Sequence, residues 1–316
     1  MVNPLRSASK IMAAKKISTP LQPVTVVVPS FNRAHLLEKT LPSYLQPPVA
    51  KLIVINDHSS DNSKEVLSKI AQSDPRIHII HNPKNIKQTG SKNIGIDLAE
   101  TEYIYFGDDD SYITPGSIAH LLDVAHAQAC DIVSARALYF TNEKTEDELF
   151  SKYKRYAQTP IDVLDLSKWR FNFTLLVNGP MPVHFGHACF LIKTSLAKSI
   201  KFSRWYIGNC FREETDFLVR CARAGAKNYY TSGACQINLP RTLATGGSHQ
   251  SGKAVKFIYT RVNALLFIFK NAFSIAWLIK SPAALIQLPF IMIAQIARKL
   301  TFRTRKLISR KSPHVV

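Results

Sequence analysis

The densest chemistry in the chain lies in Tyr103-Ile-Tyr-Phe-Gly-Asp-Asp-Asp-Ser111, where four apolar or aromatic side chains run through Gly107 into the carboxylates Asp108, Asp109 and Asp110. A short apolar run bounded by glycine reads as a buried strand. Adjacent carboxylates cannot follow it inside, because unpaired charge in an apolar medium is costly. The triplet is therefore expected where the strand leaves its sheet, in water or facing a cation. Open α/β sheets bind ligands beyond the carboxyl ends of their strands. Magnesium and manganese prefer carboxylate oxygens, and magnesium commonly joins one or two of them to substrate phosphates. A solvated acidic turn capping a helix near Pro115 fits the triplet equally well, so the rest of the chain has to decide.

A second acidic cluster, Cys210-Phe-Arg-Glu-Glu-Thr-Asp-Phe-Leu-Val-Arg-Cys221, reads as a helix with Glu213, Glu214 and Asp216 in its first turn. Acids there favour the helix dipole, and Asp216 with Arg220 forms an i,i+4 pair. The chemical alternative is a general base at the mouth of a site.

The elements that must position these groups alternate. Val24 to Val28 is a β-branched strand closed by Pro29; Lys51 to Ile55, Ile77 to Ile80, Tyr103 to Phe106 and Asp131 to Ser134 are further strands. Helical patterns separate them, from Leu36 to Tyr44, Glu65 to Ile70, about Thr89 to Ala99 and Thr114 to about Gln128. Such alternation predicts a mostly parallel, helix-covered sheet. The loops at Pro29, Asn56 and Asp108 then converge on one rim, which raises the acidic triplet above coincidence. Asp57, directly after a strand, is placed to accept hydrogen bonds from a base or ribose, whereas Asp61 reads as a loop cap for the next helix. Residues 141–175 are irregular, and His184 and His187 read as structural.

Five cysteines without a Cys-x-x-Cys pair suggest neither a disulfide framework nor a zinc site, and a reducing, cytoplasmic setting is expected. Net charge is +19, unevenly spread. No acid follows Asp216, and the last hundred residues carry 16 Lys and Arg, against 25 basic and 22 acidic residues before them. The front reads as an ordinary soluble domain, the rear as a polycation threaded through apolar sequence. An anionic membrane or a nucleic acid would suit such a tail.

In order and spacing, five stretches resemble family-two inverting glycosyltransferases of the GT-A fold: Pro29-Ser-Phe-Asn-Arg33, Asn56-Asp-His-Ser-Ser-Asp61, Ser91-Lys-Asn-Ile-Gly95, Phe106-Gly-Asp-Asp-Asp110 and Phe211-Arg-Glu-Glu-Thr-Asp-Phe-Leu-Val-Arg220. The resemblance covers about residues 23–250. It implies a nucleotide-holding loop at Pro29, Ser30, Phe31, Asn32 and Arg33, a base-recognising Asp57, and Lys92 near the diphosphate. Asp108 and Asp110 match the outer residues of the Asp-x-Asp motif, with Asp109 between them, contacting ribose and a metal-bound diphosphate. Glu214 occupies the slot of the catalytic base and Asp216 is its understudy. Where the family often places a metal-binding histidine before a Gly-Gly pair, this chain has Asn238, then Gly246-Gly247, then His249. Either the ligand set is altered or His249 serves beside Asp110 and Asp108. Ile86 also replaces a glycine common after the Asn85 position.

The expected organisation is a basic flexible leader over 1–22, a GT-A domain over 23–252 and an apolar, basic tail over 253–316. Within the tail, Phe257 to Ile279 is interrupted by Arg261 and Lys270, and Pro282 to Ala297 falls short of the roughly 20 residues a span needs. Both read as amphipathic helices on a membrane, followed by the basic run Arg298 to Lys311; packing on the core or a dimer contact is the alternative. The implied function is metal-assisted transfer of a sugar from a nucleotide-sugar, UDP-sugar favoured, to a glycan or glycolipid, peripherally at a membrane. A nucleotidyltransferase would want glycines in the Pro29 to Arg33 loop. A nucleic-acid binder would want aromatics among the basic residues. Neither is present.

Overall fold

The computed structural model describes residues 22–247 and 252–294. The expectations for most of the leader, for His249 and for the basic run from Arg298 lie outside those residues. The chain begins with β1 (Val24–Ser30), α1 (Ala34–Thr40), β2 (Val49–Asn56), α2 (Ser63–Ser73), β3 (Ile77–His81), α3 (Lys87–Leu98) and β4 (Tyr103–Phe106). β1 pairs in parallel with β2 and β4, and β2 with β3. Every residue of β1 and β4 is buried, which is why both read as unbroken apolar runs. Pro29 does not close β1, since the ladder to β2 continues to Ser30–Asn56. Pairing with β4 ends at Val27–Phe106, so the missing Pro29 N–H costs no ladder bond.

There follow β5 (Ser111–Ile113), α4 (Ser117–Ala127), β6 (Ile132–Tyr139), α5 (Glu146–Lys152), α6 (Pro160–Val163), β7 (Leu164–Asp165), β8 (Arg170–Phe171), β9 (Met181–Val183), β10 (Phe190–Lys193), α7 (Thr194–Ile200), α8 (Glu213–Arg223), β11 (Asn228–Asn238) and α9 (Lys253–Leu278). A further helix covers 284–294. The nine-stranded sheet has the order β3-β2-β1-β4-β10-β6-β11-β5, with β9 also on β11. It is mixed rather than mostly parallel: β10 runs antiparallel between β4 and β6, and β5 and β9 oppose β11. Because β10 reverses against both neighbours and β11 is parallel to β6, strands β1, β2, β4, β6 and β11 all end at one rim. The loops after β1, β2 and β4 therefore converge there as the alternation predicts.

α3 lies close on β1 through Gly95, where a Cβ would fall 2.3 Å from Val27 Cγ1. Gly95→Ala should lower stability by about 1–3 kcal/mol through overpacking. An unchanged urea midpoint would show that the helix can shift at no cost.

The expected division at residues 252 and 253 does not separate packing units. Phe267, Ile268, Ile275 and Ala276 of α9 belong to the same buried cluster as Phe106, Phe190 and Phe217, and the Phe267 ring lies 5.4 Å from Trp169. Among the described residues no helix is long and apolar enough to cross a membrane.

Candidate active site

At the common rim lies a cleft of about 370 Å³, lined in part by Pro29, Ser30, Phe31, Arg33, Asp57, Asp108, Asp109, Asp110 and Glu214. The loop after β1 is pinned from its neighbour: Asn32 N donates to Ser59 Oγ at 2.9 Å, and Asn32 Oδ1 accepts from Ser60 N at 2.7 Å. Asn32 thus joins the loops after β1 and β2 rather than lining the cleft. Asp61 caps as expected, accepting from Ser63 N and, through its other oxygen, from Ala34 N, both at 3.0 Å. Asp57 is buried, and its Oδ1 accepts from Asn82 Nδ2 at 2.8 Å and Ile86 N at 2.9 Å.

Tyr44 fixes the acidic loop from below. Its hydroxyl donates to Asp108 O at 2.9 Å and accepts from Asp108 N at 3.1 Å. The ring lies so close to Gly107 that a Cβ there would meet it at 2.7 Å, so glycine is the residue that fits. One expectation fails: Asp109 is buried, only 8% exposed. Its charge is offset by Arg33 Nε at 3.9 Å and by a hydrogen bond from Phe31 N at 3.3 Å. The Arg33 Nη2 also pairs with Asp110 at 3.1 Å. Burial pushes the Asp108 carboxyl up to about 6 against the pull of Lys92, and the Asp110 charge adds to the rise. Burial likewise pushes Asp109 up to about 7 despite Arg33. Among the described residues no three His, Cys, Asp or Glu side chains form a ready metal cage. Two crowded carboxylates, Asp108 and Asp110, do fit a hard cation whose remaining ligands are substrate phosphates and water. Asn238 is tied into the sheet, its Nδ2 donating to Leu138 O at 3.0 Å.

Lys92 is buried beside the acidic loop, close enough for its charge to act on Asp108. Its ammonium, 1% exposed, lies between Glu213 Oε1 at 2.9 Å and Glu214 Oε1 at 2.8 Å. Gln88, one turn earlier on α3, donates to Glu214 Oε1 at 3.0 Å and also to Glu213. The two carboxylates share one cation and divide its effect. Glu213 is fully buried, and burial together with the Glu214 charge holds its carboxyl well above the usual range. Burial acts on Glu214 too, but Lys92 and the surrounding hydrogen bonds outweigh it and hold that group low. Glu214 alone of the two lines the cleft, and the shared lysine favours its charged form over that of Glu213.

Asp216 points away from the cleft. It is fully buried and takes Arg220 Nε at 2.9 Å, Lys270 Nζ at 3.0 Å and Asn271 Nδ2 at 2.9 Å. It ties α8 to α9. His187, read as structural, has Nε2 2.5 Å from the Tyr139 hydroxyl, and burial keeps its imidazole neutral. Gln88, Asn209 and Tyr259, which no motif marks, also line the cleft. Only Gln88 carried a signal, its i,i+4 spacing from Lys92 on one helix face.

The family model for glycosyl transferase family 2 matches residues 25–199, more than half of the chain. The chain belongs to this family. Among curated relatives of the family-2 chain, a Campylobacter jejuni GalNAc(5)-diNAcBac-PP-undecaprenol beta-1,3-glucosyltransferase is 38% identical over 107 residues, 33% of this chain and 34% of that protein. The minor teichoic acid biosynthesis protein GgaB of Bacillus subtilis is 25% identical over 65% of this chain and 21% of its own length. The matched stretches thus span about a third of the one relative and about a fifth of the other. In fold, the chain is similar to S. aureus TarS 1-349 in complex with UDP-GlcNAc, with a TM-score of 0.54 and 14% identity over 78% of this chain and 66% of that one. It is also similar to GalNAc-T7 with UDP, GalNAc and Mn2+, with a TM-score of 0.57 and 13% identity over 80% and 50% of the two chains. The mixed α/β sheet of this protein is the GT-A fold.

Proposed function

We propose that this glycosyltransferase moves a sugar from a nucleoside diphosphate donor, UDP-sugar favoured, to a hydroxyl of a glycan or glycolipid acceptor, with inversion and with the help of manganese or magnesium. The observation that carries the reading is a carboxyl group, Glu214, facing the same cleft as Asp57 and the Asp108 to Asp110 triplet. The UDP, UDP-GlcNAc and Mn2+ bound to the two similar structures support the donor and cation chosen, and the lipid-linked substrate in the Campylobacter enzyme's name supports the acceptor class.

Inverting transfer is one in-line displacement at the anomeric carbon. Glu214 removes the acceptor hydroxyl proton as that oxygen attacks from the face opposite the diphosphate. Lys92 and Gln88 hold the carboxylate in place, and the lysine's charge favours its ionised form. Pro29, Ser30, Phe31 and Arg33 of the loop after β1, which Asn32 fixes in place, and Asp57 beside them hold the nucleoside. Asp110 and Asp108, with His249 as a further candidate, would hold the cation, which when bound stabilises the charge on the departing diphosphate as a Lewis acid. Arg33 balances Asp109 and Asp110. Transfer or hydrolysis with a panel of nucleotide-sugars, in manganese against EDTA, tests the assignment, and inactivity on every donor would refute it.

UDP should bind weakly without a divalent cation, because the triplet presents like charge to the diphosphate. Calorimetry of UDP with and without manganese is expected to show a gain from the metal that Asp110→Ala removes. Equal affinity in EDTA would remove the metal from the account.

The protein is also proposed to work as a peripheral enzyme on the cytoplasmic face of an anionic membrane, without a nucleic-acid partner.

A further inference from the structure

The two faces of α9 have different surroundings. Outward, Ile258, Val262, Leu265, Phe269, Phe273 and Trp277 recur at three- and four-residue spacing and are 42–82% exposed, the pattern of a helix with an apolar stripe. Ile286 and Phe290 on the helix over 284–294 carry the apolar exposure further. Inward, the helix grips the segment that leads into α8. Asn263 is fully buried, and its amide accepts from Ile207 N at 3.0 Å and donates to Ile207 O at 2.7 Å. Asn209 Nδ2 donates to Thr260 Oγ1 at 2.9 Å. Lys270 Nζ reaches Ser203 Oγ at 2.8 Å as well as Asp216. Tyr259 packs against Gly208, where a Cβ would meet its ring at 2.1 Å.

The stripe's occupant follows from charge. α9 and the residues after it contain no Asp or Glu, while Lys256, Arg261 and Lys280 lie along the described part and Arg298 to Lys311 follow in the sequence. Two copies meeting face to face would bring like charge together. An anionic bilayer takes apolar side chains below its headgroups and basic ones among them.

We propose that an anionic bilayer docks on this stripe and, by fixing α9, holds residues 203–210 and the first turn of α8 in the arrangement that presents Glu214 to the cleft. The inference rests on Glu214 as the base. Stabilising one face of the helix stabilises what its other face holds, and linkage makes the effect reciprocal: ligand in the cleft, touching Gly208, Asn209 and Tyr259, tightens bilayer binding by the same factor.

The test is amide hydrogen exchange of the full chain, with phosphatidylcholine vesicles alone or containing phosphatidylglycerol. Anionic vesicles are expected to slow exchange over 203–217 by at least about fivefold, the lower end of usual coupling factors, and neutral vesicles are expected to do nothing. Phe269→Ser with Phe273→Ser should lose vesicle binding and the slowing together. Asn263→Ala, or the milder Thr260→Val if the first folds poorly, should keep vesicle binding and lose the slowing at 203–217. Binding with unchanged exchange over 203–217 in the unaltered protein would overturn the coupling. Self-association through the stripe without vesicle binding would overturn the choice of occupant. Error in the role of Glu214 would show separately, in transfer rates rather than in exchange.

Discussion

Glu214→Gln is expected to bind donor and cation normally and to transfer sugar roughly 10²–10⁴-fold more slowly, the usual worth of a general base. Glutamine keeps the shape and can still meet Lys92, but it cannot take the acceptor's proton. The substitution should be gentle on the fold. With Glu214 neutral, Glu213 no longer faces a like charge and remains 2.9 Å from the Lys92 ammonium, so the buried cation keeps one carboxyl partner. Were the acids of α8 only N-terminal helix charges, the same change would cost a few tenths to about 1 kcal/mol and leave turnover nearly intact. Single-turnover rates for Glu214→Gln and Asp216→Asn, each checked for folding, separate these cases. Loss in a well-folded Asp216→Asn with activity kept in Glu214→Gln would move the base by two residues.

Asp216→Ala should instead act on stability, by about 3 kcal/mol. Removing one partner of a buried ion pair costs ~3–5 kcal/mol because the other charge is left uncompensated. Here two cations lose their common partner, but the Arg220 and Lys270 side chains are 28% and 17% exposed, so solvent softens the cost towards the lower end. A domain stable by about 5–15 kcal/mol would notice such a loss. The urea midpoint should fall, and proteolysis should open the segment before α8 and α9 itself. A midpoint shift worth less than about 1 kcal/mol would mean that the ion cluster is not what joins the two helices.

The first half of the fold was legible because its parallel strands are buried on both faces and carry contiguous apolar side chains, as Val24 to Val28 and Tyr103 to Phe106 do. β5 and β9 are three residues long, too short for a period to register, and the direction of β10 is set by its neighbours β4 and β6 rather than by its own letters, so the antiparallel pairing stayed hidden. Within the site, residues directly following strands could be placed in one dimension: Asp57 and the Asp108 to Asp110 triplet reached the rim where alternation put them. Side chains governed by partners distant in sequence could not. Lys92 faces Glu213 across 121 positions, and Asp109 is tolerated in the interior because Arg33 comes from another loop. The tail shows the limit of hydropathy. Apolar residues of α9 that enter the core, such as Phe267, and those that face outward, such as Phe269, look alike in a list of letters; only packing tells them apart.

The central claim is a single in-line displacement of a nucleoside diphosphate by an acceptor hydroxyl, and its stereochemistry is the most direct measurement. With the active nucleotide-sugar from the donor panel, proton NMR of the first product formed reports the anomeric configuration of the transferred sugar. The account predicts inversion relative to the donor in the unaltered enzyme, with the product falling away in Glu214→Gln. Retention of configuration would contradict it, since that outcome requires a covalent intermediate or a front-face attack in which a base placed as Glu214 is placed has no part.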